Sequence, residues 1–306
     1  MPTTIAIPLR GAGGEPVDLW RTLNSHGFAD LAPMTLDEEA RTLALTLPVR
    51  GGRPRRVRIA QGRRGTAAVT ILGPAAGTRV RADVTAGLGK VLRLGQDLSG
   101  FYGQVAADPD LGWVAAGAGR MLQSPSVFED VVKTICTTNC AWGATVRMVG
   151  ALVEGLGAPA VGGDGPRSNL FPTPGAMAAA PEAFYREVVR AGYRSAYLIA
   201  LARTVADGEL DLEALARATP EELPDEQLET RLLALPGVGP YASAHIMMTV
   251  GRTSRLILDS WTRPKYARLV GRRNVPDAAI VRRFRRYGDH AGLAFWLFVT
   301  RDWVDG

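Results

Sequence analysis

Cysteine is scarce: Cys136 and Cys140 are the only two in 306 residues. Two thiols cannot complete a tetrahedral zinc site, and an iron–sulfur cluster of the usual kind needs four. No metal ligand set is therefore expected, and the pair reads as buried apolar residues or near-surface thiols, not as a disulfide in a reducing cytosol. Lysine is nearly as rare, with Lys90, Lys133 and Lys265 the only three among 36 basic residues. No apolar run reaches the ~18 residues that span a bilayer, which excludes a membrane-crossing helix and removes the membrane as a partner. The opening residues Met1-Pro2-Thr3-Thr4-Ile5 have neither the charged start nor the apolar stretch of a secretion signal. A soluble cytoplasmic chain, monomeric by default, is the expectation.

What is present is a foldable, basic chain. Hydrophobic residues make up 46% of it and the net charge is +6, so a sizeable core and a polyanionic partner are both expected. Charge is also segregated. From Arg252 to Arg286 eleven basic residues meet two acids, Asp259 and Asp277, while from Asp207 to Glu229 nine acids meet only Arg217. The basic segment reads as a surface for phosphates. A second basic run, Arg41 to Arg93, carries twelve basic residues against Asp83 and reads as the outer face of strands.

Periodicity changes along the chain. Leu43, Leu45, Leu47 and Val49 recur at every second position, and Val80, Ala82 and Val84 alternate with Arg79, Arg81 and Asp83. That period of two predicts strands, with Ile5, Ile7, Val57, Ile59 and Val69 to Leu72 in others, and one helix at about 16–25. Beyond Gly87 the spacing becomes helical. Ser126-Val127-Phe128-Glu129 is a capping box, and further helices are read at about 144–156, 195–207, 227–234, 241–250, 260–270, 276–287 and 293–303. Other helix starts are read at Thr173-Pro174 and at Thr219-Pro220-Glu221-Glu222. The fold class is α+β: a small antiparallel sheet domain over 1–86, then an all-α domain over 87–306 with a helical hairpin near 232–246.

The most informative stretch is Leu235-Pro236-Gly237-Val238-Gly239-Pro240-Tyr241-Ala242-Ser243-Ala244. A Gly-x-Gly turn runs into a helix whose first position is proline, where the missing N–H has no partner to lose. Free N–H groups at such a helix start hold a phosphate. Twenty residues beyond Gly239 stands Asp259, with an apolar run before it and basic residues after it.

This constellation resembles the helix–hairpin–helix/Gly-Pro-Asp superfamily of DNA glycosylases, and Asp259 stands where that family keeps its catalytic aspartate. The resemblance is closest to the alkylpurine and 8-oxoguanine types, with an N-terminal sheet and no iron–sulfur cluster. It implies a base-excision enzyme of the cytoplasm, nucleoid-associated in a bacterium, whose partner is duplex DNA carrying a damaged base. The N–H groups of Gly237, Val238, Gly239, Tyr241, Ala242 and Ser243 would grip a phosphate, with Arg263, Lys265 and Arg268 adding charge. Asn139 would fill the gap left by a flipped base, or else cap a helix end. Tyr241, His245, Trp261 and Trp142 would form the base pocket, with core packing as the alternative for each. Phe295 and Trp296 are candidates to close the pocket, although helical core is the better reading of both. Asp259 also suits a helix N-cap, and the two roles are compatible.

Strand-cleaving relatives place a lysine nucleophile where this chain has Tyr241, so the resemblance implies a monofunctional enzyme with water as nucleophile. No cofactor is implied, save the option of a monovalent or divalent cation on the hairpin carbonyls. The segment Ser260-Trp261-Thr262-Arg263-Pro264 departs from the common family continuation, so the expected substrate, an alkylated purine such as 3-methyladenine, keeps oxidised and deaminated bases as alternatives. A non-catalytic DNA-structure-binding protein is the alternative of a different class.

Overall fold

The computed structural model describes residues 2–304. Five strands, β1 (Thr3–Pro8), β2 (Thr35–Asp37), β3 (Thr42–Leu47), β4 (Arg55–Gln61) and β5 (Thr66–Ile71), form one antiparallel sheet in the order β1-β5-β4-β3-β2. The alternation read from the sequence is the sheet's sidedness: Leu43, Leu45, Leu47, Val57, Ile59, Val69 and Ile71 are fully buried on one face. Between β1 and β2 lies the short helix α1 (Leu19–Leu23), capped by Asp18 through the Arg21 N–H.

A helix, α2 (Thr78–Val91), covers the buried face of the sheet. This corrects the reading of Val80, Ala82 and Val84 as a strand. Alternation over so few residues also fits a helix, and burial tracks the helical spacing of Val84, Leu88 and Val91, all fully buried in the sheet's core. The expected division at residue 86 falls inside this helix, which joins the sheet to the helical half of the chain.

The remainder is helical: α3 (Ser99–Val105), α4 (Val127–Thr137), α5 (Trp142–Leu156), α6 (Pro174–Ala179), α7 (Arg194–Ala206), α8 (Leu212–Arg217), α9 (Asp225–Leu233), α10 (Pro240–Thr249), α11 (Thr262–Leu269), α12 (Asp277–Phe284) and α13 (Ala291–Thr300). The chain is α+β as expected. Local chemistry explains several starts. Ser126 caps α4 at the Glu129 N–H, and Thr173 caps α6 at the Ala176 N–H with Pro174 at the first helical position. At Thr219 the expected box forms, Thr219 and Glu222 exchanging side-chain bonds to each other's N–H, but the helix waits until Asp225.

Two apolar cores lie in this half. One gathers α4, α5, α7 and the inner face of α10; the other gathers α3, α12 and α13 around Phe284, Phe295 and Phe298. Helix α10 belongs to both, sending Ala242, Ile246 and Met247 into the first and Ala244 and Met248 into the second. It is the rigid strut that carries the hairpin at its N-terminus.

Candidate active site

The turn between α9 and α10 is a hairpin that leaves several amides without an internal partner. Gly237 has φ +79°, a left-handed conformation that favours glycine, and a Cβ there would sit 2.7 Å from the Tyr197 ring. Gly239 ends the turn as the N-cap of α10, and a Cβ on it would meet nothing within 4 Å. The N–H groups of Gly237, Gly239, Tyr241 and Ala242 have no hydrogen-bond partner among the described residues. Two of the expected phosphate donors are already engaged. The Val238 N–H donates to Leu235 O at 3.1 Å with its side chain buried, and the Ser243 N–H donates to Gly239 O at 2.8 Å. The first bond closes the turn and the second is the first helical bond of α10, so four of the expected amides lack a partner, that of Ala242 in a fully buried residue.

A groove of about 990 Å³ runs along the hairpin, lined by Asn139, Tyr193, Tyr197, Gly237, Gly239, Asp259 and Arg263 among others. Asn139 lies just past α4 with φ +46°, exposed, its amide 3.5 Å from the Tyr193 hydroxyl. The cap of α4 is Thr138, so Asn139 stands one residue beyond the helix end and not at the cap position. The groove opens into a cavity of about 570 Å³, ample for a purine. Thr137, Trp142, Tyr241, Asp259 and Trp261 line both spaces, so Asp259 stands at the junction.

One oxygen of Asp259 is committed. Oδ1 accepts from the Trp261 N–H at 2.9 Å and the Thr262 N–H at 2.6 Å, while the Asp259 N–H donates to Thr262 Oγ1 at 2.9 Å. These bonds start α11 at Thr262, two residues later than the sequence suggests, and they hold the carboxyl in one orientation. Oδ2 has no partner among the described residues and remains available.

The cavity walls are aromatic. Trp142 and Trp261 are 42% and 40% exposed despite their size, with Trp261 at 5.3 Å from Trp303 and 6.1 Å from Trp296, ring centre to ring centre. Trp142 packs against Gly27, where a Cβ would lie 2.7 Å from the indole. Trp296 faces the cavity and donates Nε1–H to Ser25 O at 2.7 Å; Phe295 is core. At the back, His245 lies 5.1 Å from Phe28 and 5.3 Å from His26. Burial lowers the His245 pKa to about 4 and that of His26 to about 3, the neighbouring imidazole adding to the latter, so both rings are neutral. Burial and the phenol's proximity to Asp259 raise the Tyr241 pKa.

Half of this wall was invisible to motif reading. His26, Phe28, Asp30, Leu36 and Glu38 reach the cavity from the first forty residues, where no pattern marks them. Asp30 and Glu38 are exposed carboxylates on the wall, and desolvation, then the charge of Glu38, raises the pKa of Asp30.

The expected cationic contributions need revision. Lys265 is paired with Asp302, its side chain largely buried, which removes it from the phosphate surface. Arg263 lines the groove but makes a two-pronged pair with Asp277 at 2.8 and 2.9 Å. Arg252 and Arg255 bond to Asp225, Glu226 and Glu229, and Arg283 and Arg286 to Asp110 and Asp108. The acidic and basic segments neutralise each other in part. Arg268, Arg272, Arg273, Arg282 and Arg285 are exposed without an ion pair among the described residues.

No protein-family model matches the chain, and no curated protein matches its sequence. Solved structures do match. A 3-methyladenine DNA glycosylase from Archaeoglobus fulgidus superposes with a TM-score of 0.73 at 21% identity, over 98% of this chain and 100% of that one. The 8-oxoguanine glycosylase/lyase of Clostridium acetobutylicum, in complex with double-stranded DNA containing cytosine opposite 8-oxoguanine, gives 0.69 at 18% identity over 99% and 98%. MBOgg1, in complex with a low-affinity DNA ligand, gives 0.70 at 18% over 98% and 96%. The chain has the fold of these DNA glycosylases along essentially its whole length.

Proposed function

We propose that the chain is a monofunctional DNA glycosylase that hydrolyses the N-glycosidic bond of an alkylated purine flipped out of duplex DNA. The observation that carries this is the position of Asp259, where a groove edged by free amides meets an aromatic cavity ample for a purine. Phosphate binding at Gly237, Gly239, Tyr241 and Ala242 would set the strand along the groove. A base cannot be reached inside the stack, so it must be extruded, and Asn139 would fill the gap. Breaking the bond makes the sugar C1′ cation-like. Asp259, held by its capping bonds, would stabilise that charge and orient a water through Oδ2.

Water as nucleophile is supported by the whereabouts of the three lysines. Lys90 bonds to Glu213 and Pro125 O, Lys133 is fully buried against Glu129 at 2.7 Å, and Lys265 is bound to Asp302. None lines the cavity. An alkylated purine is supported by the indole faces together with Asp30 and Glu38, since a cationic base is attracted by π-density and negative charge.

Single-turnover assays on duplexes containing 3-methyladenine analogues, hypoxanthine, 8-oxoguanine or uracil test the proposal. Abasic sites that break only in alkali are expected. Asp259→Asn should lower base release on the order of 10²-fold or more with DNA binding retained. Strand scission trapped by borohydride would overturn the water mechanism, and binding without release from any substrate would overturn the enzyme.

A further inference from the structure

We infer that the cavity reads a hydrogen-bond donor edge on the extruded base, so that it accepts alkylated adenines bearing a 6-amino group and turns away 6-oxopurines such as hypoxanthine. The inference rests on the glycosylase reading and adds the chemistry by which the substrate is chosen.

Its basis is where the hydrogens of two side chains go. Helix α10 presents Tyr241 and His245, one turn apart, to the cavity. Both lean on threonines of α4 whose own hydrogens are already spent. Thr137 Oγ1 donates to Thr134 O at 2.7 Å, so in its 3.3 Å contact with the Tyr241 hydroxyl the phenol is the donor. Thr134 Oγ1 donates to Asp130 O at 2.7 Å, so in its 3.4 Å contact with His245 Nδ1 the ring nitrogen carries the hydrogen. A neutral imidazole has one N–H. With that hydrogen at Nδ1, Nε2 is a bare lone pair. It has no partner among the described residues, although the ring is only 5% exposed and lines the cavity.

On the other walls one hydrogen of the Asn24 amide goes to Trp20 O at 2.9 Å and the Trp296 indole donates to Ser25 O at 2.7 Å. The indole N–H groups of Trp142, Trp261 and Trp303 have no acceptor among the described residues, so the acceptor edge is confined to the α10 side of the cavity. Tyr241, now a donor only toward Thr137, offers its oxygen lone pairs. With position 6 of the base set against His245 Nε2, a carbonyl would lose its water and gain nothing, whereas an amino group finds a waiting lone pair; the N1–H of hypoxanthine reaches that lone pair only if the base shifts in the cavity. A positive charge on an alkylated base makes its N–H groups stronger donors still. A site built to pair one kind of polar edge rejects the other because buried groups are then left unmatched.

The test begins with the protein alone. Long-range ¹H–¹⁵N spectra of the imidazoles report which nitrogen of His245 is protonated; Nδ1–H is expected, and an Nε2–H ring overturns the inference. Titration with the free bases comes second. 3-Methyladenine should shift the Nε2 resonance at concentrations where hypoxanthine does not, and equal responses overturn the inference. Excision rates then compare wild type with Thr134→Val, which removes the acceptor that fixes the tautomer. The preference for 3-methyladenine over hypoxanthine duplexes should narrow by about 10-fold or more in that variant, and an unchanged preference alongside a shifted tautomer counts against the inference. If 3-methyladenine binds at Nε2 but no duplex releases a base, the donor-edge preference stands and the glycosylase reading falls.

Discussion

Asp259 carries two roles on one carboxyl, and they can be separated by chemistry. Its Oδ1 caps the start of α11 while Oδ2 stays free for a substrate. Asp259→Asn keeps a side-chain oxygen for the cap, whereas Asp259→Ala removes it. Both should lose base release, but only the alanine variant should also lose about 0.5–2 kcal/mol of stability, read from urea midpoints. An asparagine variant as unstable as the alanine one would place the cap elsewhere. Asp259 was legible in the sequence because an acid after an apolar run and twenty residues past a glycine turn is a local pattern. Lys265 was misjudged because its partner, Asp302, lies thirty-seven residues away and nothing local announces the pair.

At the scale of an element, the hairpin assigns different work to its two glycines. Gly237 is left-handed and its α-hydrogen faces the Tyr197 ring, so a methyl there is strained twice. Gly239 has φ −97° and open space where a Cβ would go. Gly237→Ala should therefore destabilise the protein by about 1–3 kcal/mol, measured as a drop in the urea midpoint. Gly239→Ala should leave the melting temperature nearly unchanged while its methyl crowds the groove beside the free amides, weakening affinity for duplex DNA about 10-fold, as measured by fluorescence anisotropy. Retained affinity in Gly239→Ala would mean that the strand does not pass over this turn. The hairpin's existence was readable from Gly-x-Gly-Pro. Which amides are free was readable only in part: the Ser243 bond to Gly239 follows from a helix that starts at Pro240, whereas the bond from Val238 to Leu235 depends on how the turn closes. Helix α2 shows the opposite limit: its arginines alternate with small apolar residues, and only burial against the sheet distinguishes the helical period from a period of two.

The whole molecule decides what local patterns cannot, since the cavity joins residues 23–38 to α4, α10 and Trp303. The sheet-bearing half brings His26 against His245, and this buried pair makes stability depend on pH. Burial holds His26 at about 3 and His245 at about 4, against an ordinary 6.5. Between pH 4 and 6.5 the unfolded chain binds protons that the folded one refuses, so these rings cost stability as the pH falls through that window. Asp130, fully buried on α4 one turn before Thr134, acts oppositely. Desolvation raises it from 3.8 to about 7, so from pH 4 to 7 the folded state keeps a proton that the unfolded state has released, and this group costs stability as the pH rises. The two effects oppose each other in the native chain, and each proton is worth about 1.4 kcal/mol per pH unit. Unfolding free energies measured from pH 4.5 to 6.5 should therefore climb more steeply with pH in Asp130→Asn than in wild type, and less steeply in His26→Gln. Parallel slopes in all three proteins would show that these groups titrate alike in the folded and unfolded states, and that the cavity's inner wall is wetter than its packing implies.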